Sequence, residues 1–293
     1  MNASECIVCL GMFDGVHAGH QALLKEAARL ADGRYRVVVF TFENHPAALF
    51  SGQVSCLSKN EQRERWLKES GADEVKVVPF TRAFAAQKPE DFLGALTRAF
   101  PVRGLVAGFN YTFGAGGSGT AATLARYGET MGYVTSIVPP VMFEGEPVSS
   151  TRIREALRGG ELKKAEEMLT RSYTLRGPIV GDRQIGRQLG FPTANMDTGS
   201  MVLPVDGVYA SRIRFANGET YPSVTNIGTN PTVNGQKRTV ETHILRFSGD
   251  LYGTEPEVSL LAYLRAEQRF CDAHALSEAI ENDIRASLSF QQA

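Results

Sequence analysis

Leu10-Gly-Met-Phe-Asp-Gly-Val-His-Ala-Gly-His20 is the stretch that decides the fold of the first half of this 293-residue chain. The apolar residues 7–10 predict a short buried strand, and residues 21–31 predict an amphipathic helix. Glycines between them interrupt both patterns and predict a turn. His17 and His20 therefore lie at the mouth of a strand–turn–helix unit, about one helical turn apart and on the same side.

This position suits a phosphate. Backbone N–H groups and the helix dipole at a helix N-terminus favour an anion, and glycine lets the backbone approach it closely. Two imidazoles there can hydrogen-bond phosphate oxygens. Two other interpretations stay open on these residues: a zinc pair, although no carboxylate follows as in H-E-x-x-H, and a structural turn with incidental histidines.

Composition limits the classes of partner. The net charge of −1 gives no reason to expect nucleic acid or a membrane surface as a partner. The N-terminus has no basic region followed by an apolar core, and no apolar run approaches the roughly 20 residues that span a bilayer. We therefore expect a cytoplasmic protein with small-molecule substrates; the sequence leaves its oligomeric state open.

The cysteines point away from both disulfides and metal. Four in a chain of this length do not make a disulfide framework. Cys6 and Cys9 form a C-x-x-C, but they lie in the first strand, where residues three apart point to opposite faces. We expect all four cysteines, which also include Cys56 and Cys271, to be small buried hydrophobes.

Strands and helices alternate through the first half of the chain. The predicted strands are residues 36–42, 74–79, 102–109 and 133–138, and the predicted helices are residues 61–68, 89–100 and 120–131. This alternation predicts a Rossmann-like α/β domain with a parallel sheet covered on both faces. Ligands bind beyond the carboxyl ends of such strands, where His17, His20 and the Asn44-His45-Pro46 loop lie.

Gly114-Ala-Gly-Gly-Ser-Gly119 matches the G-x-G-x-x-G pattern of dinucleotide-binding folds. Its context argues against a nicotinamide site, because four residues separate it from the preceding strand and no acidic residue follows about 20 positions later. We expect a mobile loop over a bound nucleotide instead.

Val148-Ser-Ser-Thr-Arg-Ile-Arg154 opens a further predicted helix. Ser150 and Arg154 are four residues apart on one helix face, so hydroxyls and a guanidinium at the helix start could form a second phosphate clamp. An ordinary capped surface helix is the alternative.

The periodicity changes after Arg171. Short β-rich segments cut by Gly and Pro follow, at residues 173–180, 207–215, 240–247 and 257–264, and a helix is predicted at residues 275–288. This pattern predicts a small antiparallel β-barrel domain with a C-terminal helix. We place the boundary near residue 170, which gives domains 1–170 and 171–293.

Three stretches of the second half carry polar groups suited to chemistry: Gly186-Arg-Gln-Leu-Gly-Phe-Pro-Thr-Ala-Asn195, Asn226-Ile-Gly-Thr-Asn-Pro-Thr232 and Thr239-Val-Glu-Thr-His243. Thr193 and Asn195 point to one side of an extended chain and offer the hard oxygen ligands that suit Mg²⁺ carrying nucleotide phosphates. Glu241 is an acidic residue in a strand of apolar and Thr character. The alternative for each of them is a turn residue or a solvated strand face.

The first stretch resembles, at every fixed position, the G-x-F-D-G-x-H-x-G-H signature of the HxGH nucleotidyltransferases, and residues 148–154 resemble their I-S-S-T-x-I-R motif. The resemblance implies that His17 and His20 bind a nucleotide triphosphate and stabilise the transition state. It also implies that Ser150, Thr151 and Arg154 hold the β- and γ-phosphates. The remaining implied nucleotide-binding residues are Gly11, Phe13, Asp14, Gly19 and Asn110.

The second-half stretches resemble riboflavin kinase, in the same order along the chain. The resemblance implies that Thr193 and Asn195 bind Mg²⁺ and ATP phosphates, and that Glu241 is the general base for the terminal ribityl hydroxyl of the flavin. It also implies that Arg265 lies near the flavin. A flap over the nucleotide is implied for residues 181–190, including Gly181, Gly186 and Gly190.

Together the two halves resemble the bifunctional prokaryotic riboflavin kinase/FAD synthetase family over about residues 6–288. The resemblance implies phosphorylation of riboflavin by ATP to FMN, then adenylylation of FMN to FAD and pyrophosphate, with Mg²⁺ as the cofactor. Many members carry Asp at the position of Asn110, and a basic residue and Asp within residues 117–120. Two alternatives stay open: a riboflavin kinase with an inactive N-terminal domain, and a non-catalytic flavin- or nucleotide-binding regulator.

Overall fold

The computed structural model of the chain describes residues 5–52, 54–181, 191–232, 235–249 and 251–291. The chain divides into two compact units, residues 1–150 and 151–293. Among the described residues, no helix combines the length and the apolar character that crossing a bilayer requires.

The first unit alternates strands and helices, as predicted. Its strands are β1 (Cys6–Leu10), β2 (Arg36–Phe42), β3 (Glu74–Val78), β4 (Val102–Gly108), β5 (Thr112–Phe113), β6 (Gly119–Thr120), β7 (Val134–Val138), β8 (Met142–Phe143) and β9 (Glu146–Pro147). Its helices are α1 (Ala18–Ala31), α2 (Ala48–Ser51), α3 (Asn60–Glu69), α4 (Arg82–Ala85), α5 (Pro89–Ala99) and α6 (Ala121–Met131).

Five of these strands form a parallel sheet in the order β3-β2-β1-β4-β7. This order is that of a Rossmann-type sheet, so the predicted fold class of the first half is confirmed. Every residue of β1 is buried, because helices cover both faces of the sheet. The carboxyl ends of β1 and β2 lie side by side, since Leu10 pairs with Phe40.

The cysteines follow the prediction in part. Cys6 and Cys9 are fully buried in clusters on opposite faces of the sheet, as their spacing predicts. Cys56 is half-buried and Cys271 is exposed, so the prediction that all four are buried is wrong. Cys271 lies just ahead of the last helix, where no strand or helix face requires an apolar residue.

The glycine-rich segment is a hairpin. β5 pairs with β6, and a 3₁₀ turn at Ala115–Gly117 joins them. Gly114 has φ of 73°, and a Cβ there would lie 2.7 Å from Pro89 Cγ, so this glycine is required by a close approach to the start of α5. The segment is therefore not the strand-to-helix turn of a dinucleotide fold, in agreement with the rejection of a nicotinamide site.

The second unit is built on antiparallel strands. They are β10 (Thr174–Arg176), β11 (Ile179–Val180), β12 (Thr193–Met196), β13 (Gly207–Arg214), β14 (Thr220–Thr232), β15 (Gly235–Ile244) and β16 (Glu257–Arg265). The helices that follow residue 150 are α7 (Ser150–Arg158), α8 (Leu162–Leu169) and α9 (Ala273–Ser289). α7 begins at the last residue of the first unit.

The strands form one curled sheet, a half-barrel, in the order β10-β16-β13-β14-β15-β12-β11. The antiparallel fold and the C-terminal helix are as predicted. The strands predicted from the sequence do not include β12 or the central strand β14, and β10 and β11 were predicted as one strand. Residues 177 and 178 separate these two strands, because β10 pairs with β16 and β11 pairs with β12. A Cβ at Gly177 would lie 2.0 Å from the carbonyl oxygen of Asp197.

Helix α9 is fixed to the sheet by polar contacts. Arg265 donates from Nε and Nη2 to the Asp283 carboxylate at 2.9 and 2.8 Å. Ser287 Oγ donates to the carbonyl of Ser223 at 2.8 Å, and both residues are fully buried. These bonds hold α9 against β16 and β14, the strands that flank β13.

Glu166 in α8 makes the stability of the second unit depend on pH. Burial raises the pKa of Glu166 to about 7. Hydrogen bonds from Ser172 and from the backbone of Tyr173 lower this pKa, but by less than burial raises it. An unfolded glutamate titrates near about 4.3, so the folded state binds more protons between these values. Stability therefore falls as the pH rises from about 4.3 to 7 and stays lower above it.

We expect Glu166→Gln to remove this penalty and to stabilise the protein at pH 8 by about 1–2 kcal/mol, a value reduced for solvent screening of a half-buried group. At pH 4 the substitution should change little. Denaturant unfolding at the two pH values measures the difference, with the exposed neighbour Glu167→Gln as control. An equal gain at both pH values would contradict this assignment.

Candidate active sites

The turn after β1 is held in a strained conformation. Phe13 and Val16 have φ of 56° and 40°, in the left-handed region that side chains other than glycine rarely adopt. Both side chains are fully buried, so packing offsets the strain. Strain of this kind is typical of ligand-binding turns.

This turn presents the two histidines. His17 is the N-cap residue of α1, and His20 lies in its first turn. Their rings stack with centroids 3.6 Å apart and planes 19° from parallel, and Phe13 packs on His20 at 5.1 Å. The predicted pair at a helix N-terminus is therefore present, next to the backbone N–H groups that favour an anion.

Two glycines of the turn lie close to its aromatic rings. A Cβ at Gly19 would lie 3.1 Å from Cε1 of His17, and a Cβ at Gly11 would lie 3.0 Å from Cε2 of Phe13. A side chain at either position would need the neighbouring ring to move by a few tenths of an ångström. Gly11 and Gly19 therefore allow the backbone of the turn to lie close to these rings.

Hydrogen bonds to two other segments, residues 57–58 and Ser150, fix the turn. Asp14, which is 2% exposed, accepts from the backbone N–H of Leu57 at 2.8 Å through Oδ1. Gly15 N–H donates to Ser58 Oγ at 3.3 Å, and Ser150 Oγ donates to the carbonyl of Asp14 at 2.9 Å. Asp14 and Ser150 were both predicted to bind nucleotide, and this hydrogen bond joins them directly.

Arg63 is a residue of this site that no sequence motif indicated. It is 3% exposed, and its guanidinium donates to the carbonyls of Met12 at 3.4 Å and Phe42 at 2.5 Å. Burial lowers the pKa of Arg63, while the charge of Asp14 raises it. Arg63 therefore ties the histidine turn to the carboxyl end of β2.

The other predicted residues of the first site lie in turns and helix starts. Asn110 is in the turn after β4, at the carboxyl edge of the sheet. Thr151 and Arg154 lie in the first turns of α7, which starts at Ser150. Among the described residues, no group of three or more His, Cys, Asp or Glu could hold a metal ion, so none of them supplies a third ligand for the zinc interpretation.

The second site is a row of residues that crosses five strands. Directly paired residues of an antiparallel sheet share one face. Register therefore places five residues in one row on one face: Asn195, Glu241, Asn226, Val208 and Arg265. We call this the Glu241 row. It brings together three of the predicted kinase residues, which lie up to 70 positions apart in the sequence.

A second row lies beside it. Thr193 pairs with His243, and His243 pairs with Val224. His243 Nδ1 and the carbonyl of Pro192 are 2.9 Å apart, which joins the Thr193 segment to β15. Thr193 and Asn195 alternate along β12 and share the face of Glu241, as their spacing predicts.

The remaining predicted residues of the second site are Arg265 and the glycines of the flap. Arg265 is engaged by Asp283 and has its guanidinium 5.5 Å from the ring centre of Phe270. Gly181 is the last described residue before the gap at residues 182–190. Gly186, Gly190 and most of the predicted flap therefore lie outside the described residues.

An apolar cavity of about 690 Å³ opens beside His243. It lies within the size range of pockets for small organic ligands. Its walls include side chains from the start of β14, from the end of β15 and the residues after it, and from α9, among them Pro222, His243, Leu245, Phe247, Ile284 and Leu288.

A Rossmann-type unit with paired histidines at a helix N-terminus, followed by a half-barrel with a carboxylate between two amides, defines a nucleotide-dependent transferase with two sites. The FAD synthetase family matches residues 1–152, and the riboflavin kinase family matches residues 169–290. The chain belongs to the family of bifunctional riboflavin kinase/FMN adenylyltransferases.

Full-length relatives agree with this assignment. The chain is 35% identical to the bifunctional riboflavin kinase/FMN adenylyltransferase of Listeria monocytogenes, over 97% of this chain and 92% of the relative. It is 36% identical to that of Escherichia coli K12, over 95% and 90%. A crystal structure described as a macrolide-efflux protein from Streptococcus pneumoniae has a TM-score of 0.88 and 31% identity, over 98% of this chain and 95% of that one.

Proposed function

We propose that the chain makes FAD from riboflavin in two transfers from ATP. The second unit phosphorylates riboflavin to FMN, and the first adenylylates FMN to FAD with release of pyrophosphate. The observation that carries this proposal is that both families match one chain, at residues 1–152 and 169–290. We place the boundary between the two domains near residue 170.

In the kinase step, Glu241 acts as the general base. It takes the proton of the terminal ribityl hydroxyl while that oxygen attacks the γ-phosphate of ATP, and ADP leaves. The cavity beside His243 suits the flavin ring, because its lining is largely apolar and His243 lies two residues from Glu241 on the same face. The ribityl chain would then run past His243 towards Glu241, and Arg265 would lie near the flavin.

Mg²⁺ is the proposed cofactor of this step. The hydroxyl of Thr193 and the amide oxygen of Asn195 share one face and are the hard ligands that Mg²⁺ accepts beside phosphate oxygens and water. Two neutral ligands suit a metal that arrives with a nucleotide. The bound ion would neutralise phosphate charge, and the chain's own residues would hold ATP against Glu241.

In the adenylyl step, the phosphate of FMN attacks the α-phosphate of a second ATP. The phosphate of FMN is largely ionised at neutral pH, so no strong base is needed to activate it. Positioning and charge stabilisation by His17 and His20 supply the catalysis. We propose that Ser150, Thr151 and Arg154 hold the β- and γ-phosphates. The other proposed nucleotide-binding residues are Gly11, Phe13, Asp14, Gly19, Asn110 and the flap glycines Gly181, Gly186 and Gly190.

A time course tests the proposal. The protein is incubated with riboflavin, ATP and Mg²⁺, and flavins are separated by chromatography. We expect FMN to appear first and then to be converted to FAD. FMN that accumulates without FAD would indicate a kinase with an inactive first domain, and bound flavin without product would indicate a regulator.

Arg63→Met should reduce FAD formation from FMN by about ten- to a hundredfold. The carbonyls of Met12 and Phe42 lose the guanidinium, Met12 keeps only the hydrogen bond from Thr41 Oγ1, and the histidine turn shifts. Formation of FMN from riboflavin by the same molecule should be unchanged, which controls for expression and for folding of the second unit. Arg63→Lys keeps one charged donor and should retain an intermediate rate. FAD formation at the normal rate by Arg63→Met would contradict this role.

A further inference from the structure

The glycine of the Asn226-Ile-Gly228 segment leaves room for a carboxylate. A Cβ at Gly228 would lie 1.8 Å from Oε1 of Glu267 and 2.4 Å from its Cδ. Glu267 follows the end of β16 by two residues, and its side chain reaches back over β14 to rest on the bare backbone of Gly228. Gly228 has no left-handed φ, so this close approach, and not backbone conformation, favours glycine here.

The same carboxylate binds a member of the Glu241 row. Asn226 Nδ2 donates to Glu267 Oε1 at 3.1 Å. Asn226 is paired directly with Glu241 in the neighbouring strand, where paired Cβ atoms lie about 4.5–5.5 Å apart. The amide of Asn226 thus lies between the carboxylate of Glu267 and the strand that carries the proposed base.

The loop that carries Glu267 is itself anchored. Arg265 is held by the two hydrogen bonds to Asp283 in α9 and also donates to the carbonyl of Ala266 at 3.1 Å. Glu267 itself is exposed, and a single exposed contact contributes little to holding a side chain in place.

We infer that Glu267 is a positioning residue of the kinase site, which rests on the proposed function. Its carboxylate docks on Gly228 and fixes the Asn226 amide beside Glu241, so that the base faces the ribityl hydroxyl in one orientation. Gly228 provides the space that the carboxylate of Glu267 occupies. Glu267 does not touch the reacting atoms, and it acts through Asn226.

Two substitutions remove the contact from opposite sides. Glu267→Ala deletes the carboxylate, and Gly228→Ala fills the space that it occupies and displaces it, at small cost because the displaced atoms end a flexible side chain. We expect each to lower kcat for riboflavin phosphorylation about tenfold with little change in KM for ATP. Glu267→Gln keeps an acceptor for Asn226 and should recover most of the rate.

The double variant Gly228→Ala/Glu267→Ala separates positioning from general damage. Because both changes remove one contact, the double variant should lose no more than either single variant. The control is Glu219→Ala, an exposed carboxylate in the turn before β14, with FAD formation from supplied FMN measured in every variant.

Normal kcat in Glu267→Ala would overturn the inference, and so would losses that multiply in the double variant. Loss of activity in Gly228→Ala with normal activity in Glu267→Ala would also overturn it, because the effect would then belong to the strand. Absence of FMN formation by the unsubstituted protein would contradict the proposed function instead, so the two failures are distinguishable.

Discussion

Replacement of His17 by alanine is expected to lower FAD formation from FMN and ATP by at least about a hundredfold, while FMN formation from riboflavin continues. His17 is the N-cap residue of α1, is 6% exposed and stacks on His20. A donor held in this way needs no reorganisation when negative charge develops on the transferring phosphoryl group, so its removal acts on the transition state.

The measurement is the initial rate of each step with its own substrate supplied. His274→Ala is the matched control, because the side chain of His274 is 84% exposed on α9. His17→Gln keeps a donor and should retain more activity than His17→Ala. A folded His17→Ala protein that makes FAD at the normal rate, or that has lost both steps, would contradict the assignment of the first site.

Glu241→Gln is expected to show the reverse pattern. The amide keeps the size of the side chain in the Glu241 row but cannot accept the ribityl proton. The rate of riboflavin phosphorylation should therefore fall about a hundred- to ten-thousandfold. Supplied FMN should still be converted to FAD, because the histidine turn belongs to the other unit.

Glu255→Gln provides the control for this substitution. Glu255 is an exposed carboxylate of the same unit, 3.6 Å from Arg176, and its loss should leave both rates unchanged. Phosphorylation at the normal rate by a folded Glu241→Gln protein would show that another group takes the proton. Thermal unfolding of both variants distinguishes a lost base from a lost fold.

Much of the first unit could be predicted from sequence, because its signals are local. Strand β1 and helix α1 follow from apolar periodicity, and the turn between them from glycines. Spacing also placed His17 and His20 together at a helix start, as the structure has them. Arg63 could not be found in this way. It lies in the polar helix α3, and its burial depends on where α3 packs against the turn after β1.

The second unit shows the opposite balance. Strand β14 contains Pro222, Gly228 and Pro231, which favour turns, and it is extended because β13 and β15 pair with it on both sides. The role of Glu267 also depends on tertiary structure, because its contact with Asn226 joins residues 41 positions apart in the sequence.

The sequence by itself determined the class of each half, the order of the two domains and the residue types available for chemistry, because these depend on periodicity and on short motifs. The tertiary structure decided which of those residues meet. The Glu241 row exists because strand register aligns Asn195, Glu241 and Arg265 across the sheet. Register is set by pairing between distant segments, and a shift of one residue would turn these side chains to the opposite face.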